Sequence, residues 1–117
     1  YLDAWPCNGH TTVSDALWAG VPVVTYAGHS FAQRVAASLL HNVGLPDLIT
    51  HDQEGYMAKV QALAADKPAR DVIRATLHRA RDEAPLFDSD AYARDFGDLL
   101  WRMAERQARG LSPDHLS

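Results

Sequence analysis

One stretch of the chain combines residue types and spacing that suit chemistry: Asn8-Gly9-His10-Thr11-Thr12-Val13-Ser14-Asp15. It places a glycine and two hydroxyls where a helix opens. At such a point the first backbone N–H groups have no helical partner, and the helix dipole presents its positive end. Gly9 lets a ligand approach the main chain closely. Thr11 and Thr12 add side-chain donors. Together they suit a phosphate or diphosphate. His10 sits beside them with a ring N–H for a phosphate or sugar oxygen. Asp15, one turn in, suits a sugar hydroxyl. The same residues also fit an ordinary capped helix after a turn, with His10 on the surface.

Other reactive side chains offer less. Cys7 is the one cysteine, so neither an internal disulfide nor a cysteine zinc cluster can form within the chain. A cysteine near a helix start can be an activated nucleophile, but no base is paired with it in sequence, and a small pocket-lining residue is the plainer reading. Six histidines, at 10, 29, 41, 51, 78 and 115, lack His-x3-His spacing, and no metal is expected. His29 falls in the turn after a strand, where α/β topology places ligand loops. Arg34 suits an ion pair or a helix surface. Arg79, Arg81, Arg102, Arg106 and Arg109 are interspersed with acids and read as a solvated face.

The elements that must position these residues follow from the hydrophobic pattern. Tyr1-Leu2 reads as a strand end, and Trp5 to Gly9 as loop. Thr12 and Asp15 have capping-box spacing for a short helix that stops at Gly20. Val21 to Tyr26 is a β-branched run that predicts a buried strand, with Pro22 near its start. Residues 30–43 predict a helix with Phe31, Val35, Leu39 and Leu40 on one face. Asp47 to Thr50 is a short extended piece. A helix over 52–66 is expected to bury Tyr56, Met57, Val60, Leu63 and Ala64. Another over 68–83 is expected to bury Val72, Ile73, Leu77 and Ala80, with Pro68 in its first turn. A last helix opens at Asp88-Ser89, carries the stripe Tyr92, Phe96, Leu99, Leu100 and Met103, and ends at Gly110. The stripe reads as core packing, with Trp101 off its centre. Residues 112–115 read as a frayed tail.

Strands thus fall early and helices late. The fold class is α/β: part of a Rossmann-like, doubly wound half with few parallel strands. Residues 1–110 form one portion and 111–117 a tail. Two or three strands are few for a self-sufficient α/β domain, and the chain opens Tyr1-Leu2-Asp3 without a Met. It reads as a piece of a longer protein.

Composition narrows the function. Of the 117 residues 47% are hydrophobic, enough for a buried core. Eleven Lys and Arg against fifteen Asp and Glu leave a net charge of -4, which disfavours nucleic acid as a partner. No apolar run approaches the roughly 18 residues of a membrane helix. No signal peptide is visible, and a cytoplasmic location is the expectation.

The residues also carry a resemblance. Leu2-Asp3, Pro6-Cys7-Asn8-Gly9-His10-Thr11-Thr12 and Ser14-Asp15-Ala16-Leu17-Trp18-Ala19-Gly20-Val21-Pro22-Val23-Val24-Thr25 are similar to the O-GlcNAc transferase family. The likeness continues through Gly28, Phe31-Ala32, Arg34-Val35-Ala36 and Ser38-Leu39-Leu40. It is dense over residues 2–40 and diffuse over 41–110. The resemblance implies a metal-independent, inverting glycosyltransferase of GT-B type, with two Rossmann-like halves, of which this chain is the end of the C-terminal half. It implies N-acetylglucosamine transfer from UDP-GlcNAc, the donor substrate, to Ser or Thr hydroxyls of a protein or peptide acceptor.

By the same resemblance, His10, Thr11 and Thr12 meet the diphosphate and sugar, with Thr11 and Thr12 stabilising the leaving group. Asp15 meets the ribose, and Cys7 lies near the N-acetyl group. A family Lys that contacts the diphosphate has no match, since Lys59 and Lys67 lie too late. That Lys, the acceptor groove and tetratricopeptide repeats would lie upstream, and the isolated piece is expected to be inactive. Two alternatives stay open: a same-fold transferase using GDP-fucose or UDP-glucose, and a non-catalytic sugar-nucleotide-binding module.

Overall fold

Val13, Ala16 and Leu17 give the first helix, α1 (Thr11–Trp18), one apolar face, and Val13 and Leu17 are completely buried. The helix ends in a Schellman arrangement. Gly20 has φ +77°, its N–H bonds to the Leu17 carbonyl at 3.0 Å, and Val21 N–H reaches back to Ala16 at 2.8 Å. A Cβ-bearing residue would be strained there. The computed structural model describes residues 1–116.

A small parallel sheet follows α1 in the chain. β1 (Thr25–Tyr26) pairs with β2 (Ile49–Thr50), Thr25 opposite Ile49 and Tyr26 opposite Thr50. Leu2 forms a parallel bridge with Val24 on the other side. The expected strand over Val21 to Tyr26 is therefore regular only at its end. Pro22 has no N–H to give a ladder, and its carbonyl accepts instead from the Tyr1 amine at 2.7 Å.

The helix expected over 30–43 divides into a 3-10 turn, Phe31–Gln33, and α2 (Val35–Asn42). The Gln33 side chain explains the break. Its Oε1 accepts from His29 N–H and Ser30 N–H, each at 3.1 Å, and closes the turn before α2 begins. Ala36 and Leu40 of α2 are buried.

α3 (Gln53–Ala65) and α4 (Lys67–Glu83) open on aspartates: Asp52 accepts from Gly55 N–H at 2.6 Å and Asp66 from Ala69 N–H at 2.8 Å. Such caps each contribute about 0.5–2 kcal/mol. Leu77 and Ala80 of α4 join Val13, Leu17, Val23, Ala36, Leu40, Val43 and Leu48 in the core. Expectation and structure part on α3, where no residue is buried. Tyr56, Val60 and Leu63 are half-buried, whereas Met57 and Ala64 are exposed. Its apolar residues spread around the helix, and only the edge facing β2 and α4 is covered. Val72 of α4 is also exposed. Arg81 departs from its solvated reading: it lies over the Trp18 ring at 5.6 Å and donates from Nε to the Trp18 carbonyl at 2.6 Å.

These elements and the 3-10 turn Pro85–Phe87 form one unit, Tyr1–Phe87; Asp88–Ser117 form a second. The second holds α5 (Ser89–Ala108), capped by Asp88 on Ala91 N–H at 2.8 Å. Of its stripe, Tyr92, Phe96, Leu100 and Met103 are exposed, and the Tyr92 and Phe96 rings stack at 5.8 Å. Residues 111–116 have no regular structure, and Arg106 Nε donates to the Ser112 carbonyl at 2.5 Å.

Candidate functional site

The loop before α1 is built around Asp3, a buried carboxylate at the end of the Leu2 bridge. Its Oδ1 accepts from Gly9 N–H at 2.7 Å and Ala4 N–H at 2.9 Å. Its Oδ2 accepts from the buried Thr25 hydroxyl at 2.6 Å. Thr50 Oγ1 donates to the Thr25 carbonyl at 2.8 Å, and Tyr56 donates its phenol proton to the Asp3 carbonyl at 3.1 Å. Burial, followed by the Asp3 carboxylate, pushes the Tyr56 phenol above its ordinary pKa, so it stays a donor. The Asp3 carboxylate thus ties the loop to β1, and the Asp3 carbonyl ties it to α3.

Asn8 supplies the second anchor. Its backbone N–H donates to the Ala32 carbonyl at 2.9 Å and its Nδ2 to the Ala4 carbonyl at 3.2 Å. Its buried Oδ1 has no hydrogen-bond partner among the described residues. Gly9 is required for space. A Cβ there would sit 2.5 Å from Thr12 Oγ1, 2.7 Å from the Tyr1 hydroxyl and 3.0 Å from Val13 Cγ2. Gly9→Ala is expected to cost about 1–3 kcal/mol through overpacking and to push Thr12 aside. The thermal midpoint and nucleotide affinity of the full-length protein check this, and neither changing would contradict it.

Beyond Gly9 the helix begins two residues earlier than expected. His10 is the N-cap, with no side-chain capping bond, and Ser14 N–H bonds back to the His10 carbonyl at 3.1 Å. The capping box expected of Thr12 and Asp15 does not form. Thr12 is already inside the first turn, and its Oγ1 lies 3.0 Å from the Tyr1 hydroxyl. A hydroxyl accepting from Tyr1 keeps its own proton for a ligand. Thr11, Thr12 and Asp15 are all exposed. Their i, i+3 and i, i+4 separations put them on one helix face.

His10 is exposed, with its ring edge-on to Phe31 at 6.0 Å. Cys7 is exposed, and its Sγ lies 3.7 Å from the Asn8 carbonyl. The structure therefore carries Cys7, Gly9, His10, Thr11, Thr12 and Asp15 on one loop and helix start. His29 and Arg34 line a different groove. Sequence reasoning did not assign Tyr1, Asp3, Asn8, Thr25 and Tyr56 to the site. A Pro and Asn-Gly loop leaves backbone donors that something must satisfy, and Asp3 was the nearest acid.

The model of Glycosyl transferase family 41 matches residues 1–96. The chain belongs to this family. The UDP-N-acetylglucosamine--peptide N-acetylglucosaminyltransferase of Caenorhabditis elegans is 39% identical over 116 residues, which is 99% of this chain and 10% of that protein. The probable transferase of that name, SEC, from Arabidopsis thaliana is 36% identical, over 97% of this chain and 12% of that one. The chain thus spans about a tenth of these curated relatives.

A solved mutant of the Thermobaculum terrenum O-GlcNAc transferase superposes with a TM-score of 0.77 at 34% identity, covering 92% of this chain and 21% of that one. This likeness bears out the α/β, GT-B-type reading of this family 41 chain. No described helix is long and apolar enough to cross a membrane. Among the described residues no group of three or more His, Cys, Asp and Glu is placed to hold a metal ion.

Proposed function

We propose that this chain is the donor-binding end of a glycosyltransferase that moves N-acetylglucosamine from UDP-GlcNAc to Ser or Thr hydroxyls of proteins. The observation that carries the reading is the exposed face of Thr11, Thr12 and Asp15 at the start of α1, on a loop held by buried Asp3. Identity to transferases named for that donor and a peptide acceptor supports it. Residues 1–110 are the portion that serves this role, and 111–117 a tail. An upstream half, tetratricopeptide repeats and a cytoplasmic location belong to the same proposal.

In this reaction the acceptor oxygen attacks the anomeric carbon. The bond from that carbon to the β-phosphate oxygen breaks, and UDP leaves with the electron pair. The hydroxyl proton passes to a base not assigned to this chain. Negative charge grows on the leaving diphosphate as the bond breaks. Donors fixed beforehand at that place stabilise the transition state without reorganising. The first-turn N–H groups of α1 and the Thr11 and Thr12 hydroxyls take this role, with His10 at a phosphate or sugar oxygen. The helix dipole adds to the same charge balance. Asp15 takes a ribose hydroxyl, and Cys7 faces the donor's N-acetyl group. No metal enters these steps.

Calorimetry on the full-length protein with UDP, UDP-GlcNAc, GDP and GDP-fucose tests the reading. Selective UDP binding is expected, weakened by about 1–3 kcal/mol in Thr12→Ala. Asp15→Ala is expected to weaken UDP more than inorganic pyrophosphate. Unchanged affinity in Thr12→Ala, or equal losses for both ligands in Asp15→Ala, would contradict these assignments. Selective GDP binding would replace the donor. Binding of no nucleotide would make the chain a non-catalytic module. Turnover by the 117-residue chain alone would overturn the expectation that the piece is inactive.

A further inference from the structure

A second concave site lies between α2 and β2, a groove of about 580 Å³. His29, Arg34, His41 and His51 line it, together with apolar residues that include Pro46 and Ile49, and no acidic residue does. In a chain of net charge -4 this is a local concentration of cationic and protonatable side chains. The guanidinium of Arg34 and the three imidazoles have no hydrogen bond or ion pair to another described side chain or carbonyl. Of the neighbouring acids, Asp52 is turned away onto Gly55 N–H at 2.6 Å. Arg34 immediately precedes α2 and His41 lies in its last turn. Seven residues separate them, so they lie on one side of the helix, roughly 10 Å apart along its axis.

We propose that this groove binds a small ligand bearing several phosphates in a row, with Arg34 as the fixed charge. A single phosphate would reach only one end of a row of that length. A guanidinium is always charged and presents a planar fork of donors to phosphate oxygens. Imidazoles add donors, and charge once protonated. The groove is distinct from the Thr11, Thr12 and Asp15 face, and the inference does not depend on the donor proposal.

The test is calorimetry of inorganic tripolyphosphate with the full-length protein, its donor site first saturated with UDP. Saturable binding at one site is expected, weakened about tenfold or more in Arg34→Gln and severalfold in His41→Gln. UDP affinity should be unchanged in both. Arg94→Gln, an equal change of charge outside the groove, should leave tripolyphosphate affinity alone. Inorganic phosphate should bind more weakly than tripolyphosphate. Absence of binding at millimolar ligand would overturn the proposal. So would binding abolished by UDP, or losses as large in Arg94→Gln as in Arg34→Gln.

Discussion

Asp3→Ala is expected to lower the stability of the Tyr1–Phe87 unit by about 3–5 kcal/mol and to release the loop before α1. Asp3 is 8% exposed and accepts three hydrogen bonds. Bonds to a charged acceptor contribute about 1.5–3 kcal/mol each, but the loss is smaller than their sum. Ala4 N–H lies at an exposed residue and can turn to water. The hydroxyl of Thr25, which is fully buried, cannot. Gly9 N–H loses the acceptor that sets the approach to Thr11 and Thr12.

Asp3→Asn should cost less. It keeps an acceptor for Gly9 and sets an N–H₂ against a Thr25 hydroxyl that can also accept. Hydrogen exchange over residues 1–12 of the full-length protein reads the effect locally. Protection of Gly9 should fall sharply in Asp3→Ala and partly in Asp3→Asn, with UDP affinity following the same order. Full protection of Gly9 in Asp3→Ala would show that the loop holds itself without the carboxylate.

Asp3 also marks how far the sequence alone leads. The Gly9 to Asp15 stretch is legible because a helix start needs local residues in a fixed order. Thr11, Thr12 and Asp15 share a face by spacing alone. The support beneath them is not local. Thr25 and Tyr56 meet Asp3 across 22 and 53 residues of chain, and no periodicity reports such pairings. Element types followed from pattern, while their limits did not. Gln33 broke the 30–43 helix with a side-chain acceptor that competes for backbone donors. Met57 and Val72 were expected inside because apolar residues at helical spacing suit burial. Each helix, however, has one covered edge, and both residues lie off it.

Leu17→Ala tests the other half of the arrangement, the seat of α1 rather than its tip. Leu17 is completely buried and is among the largest such side chains, with Val13, Val23, Leu40 and Leu77 in the same cluster. Removing its outer carbons should cost about 3–5 kcal/mol, the transfer free energy plus the cavity left by partial collapse. The two neighbouring residues set the contrast. Trp18 is 52% exposed, its ring edge-on to Phe87 at 5.0 Å and under Arg81. Ala19 is exposed, so a substitution there should stay within about 0.5 kcal/mol.

Leu17 belongs to the apolar core cluster and is not among the hydrogen-bond partners of Asp3 and Asn8. Well below its lowered melting temperature, the Leu17→Ala protein should therefore bind UDP with near-normal affinity. Asp3→Ala should lose affinity under conditions where it remains folded. Opposite orders of damage, stability first for Leu17 and binding first for Asp3, would separate the core that holds the helix from the carboxylate that aims it. If Leu17→Ala lost affinity in proportion to stability, helix and loop would be one cooperative unit, and Asp3 would have no separate part in positioning the ligand.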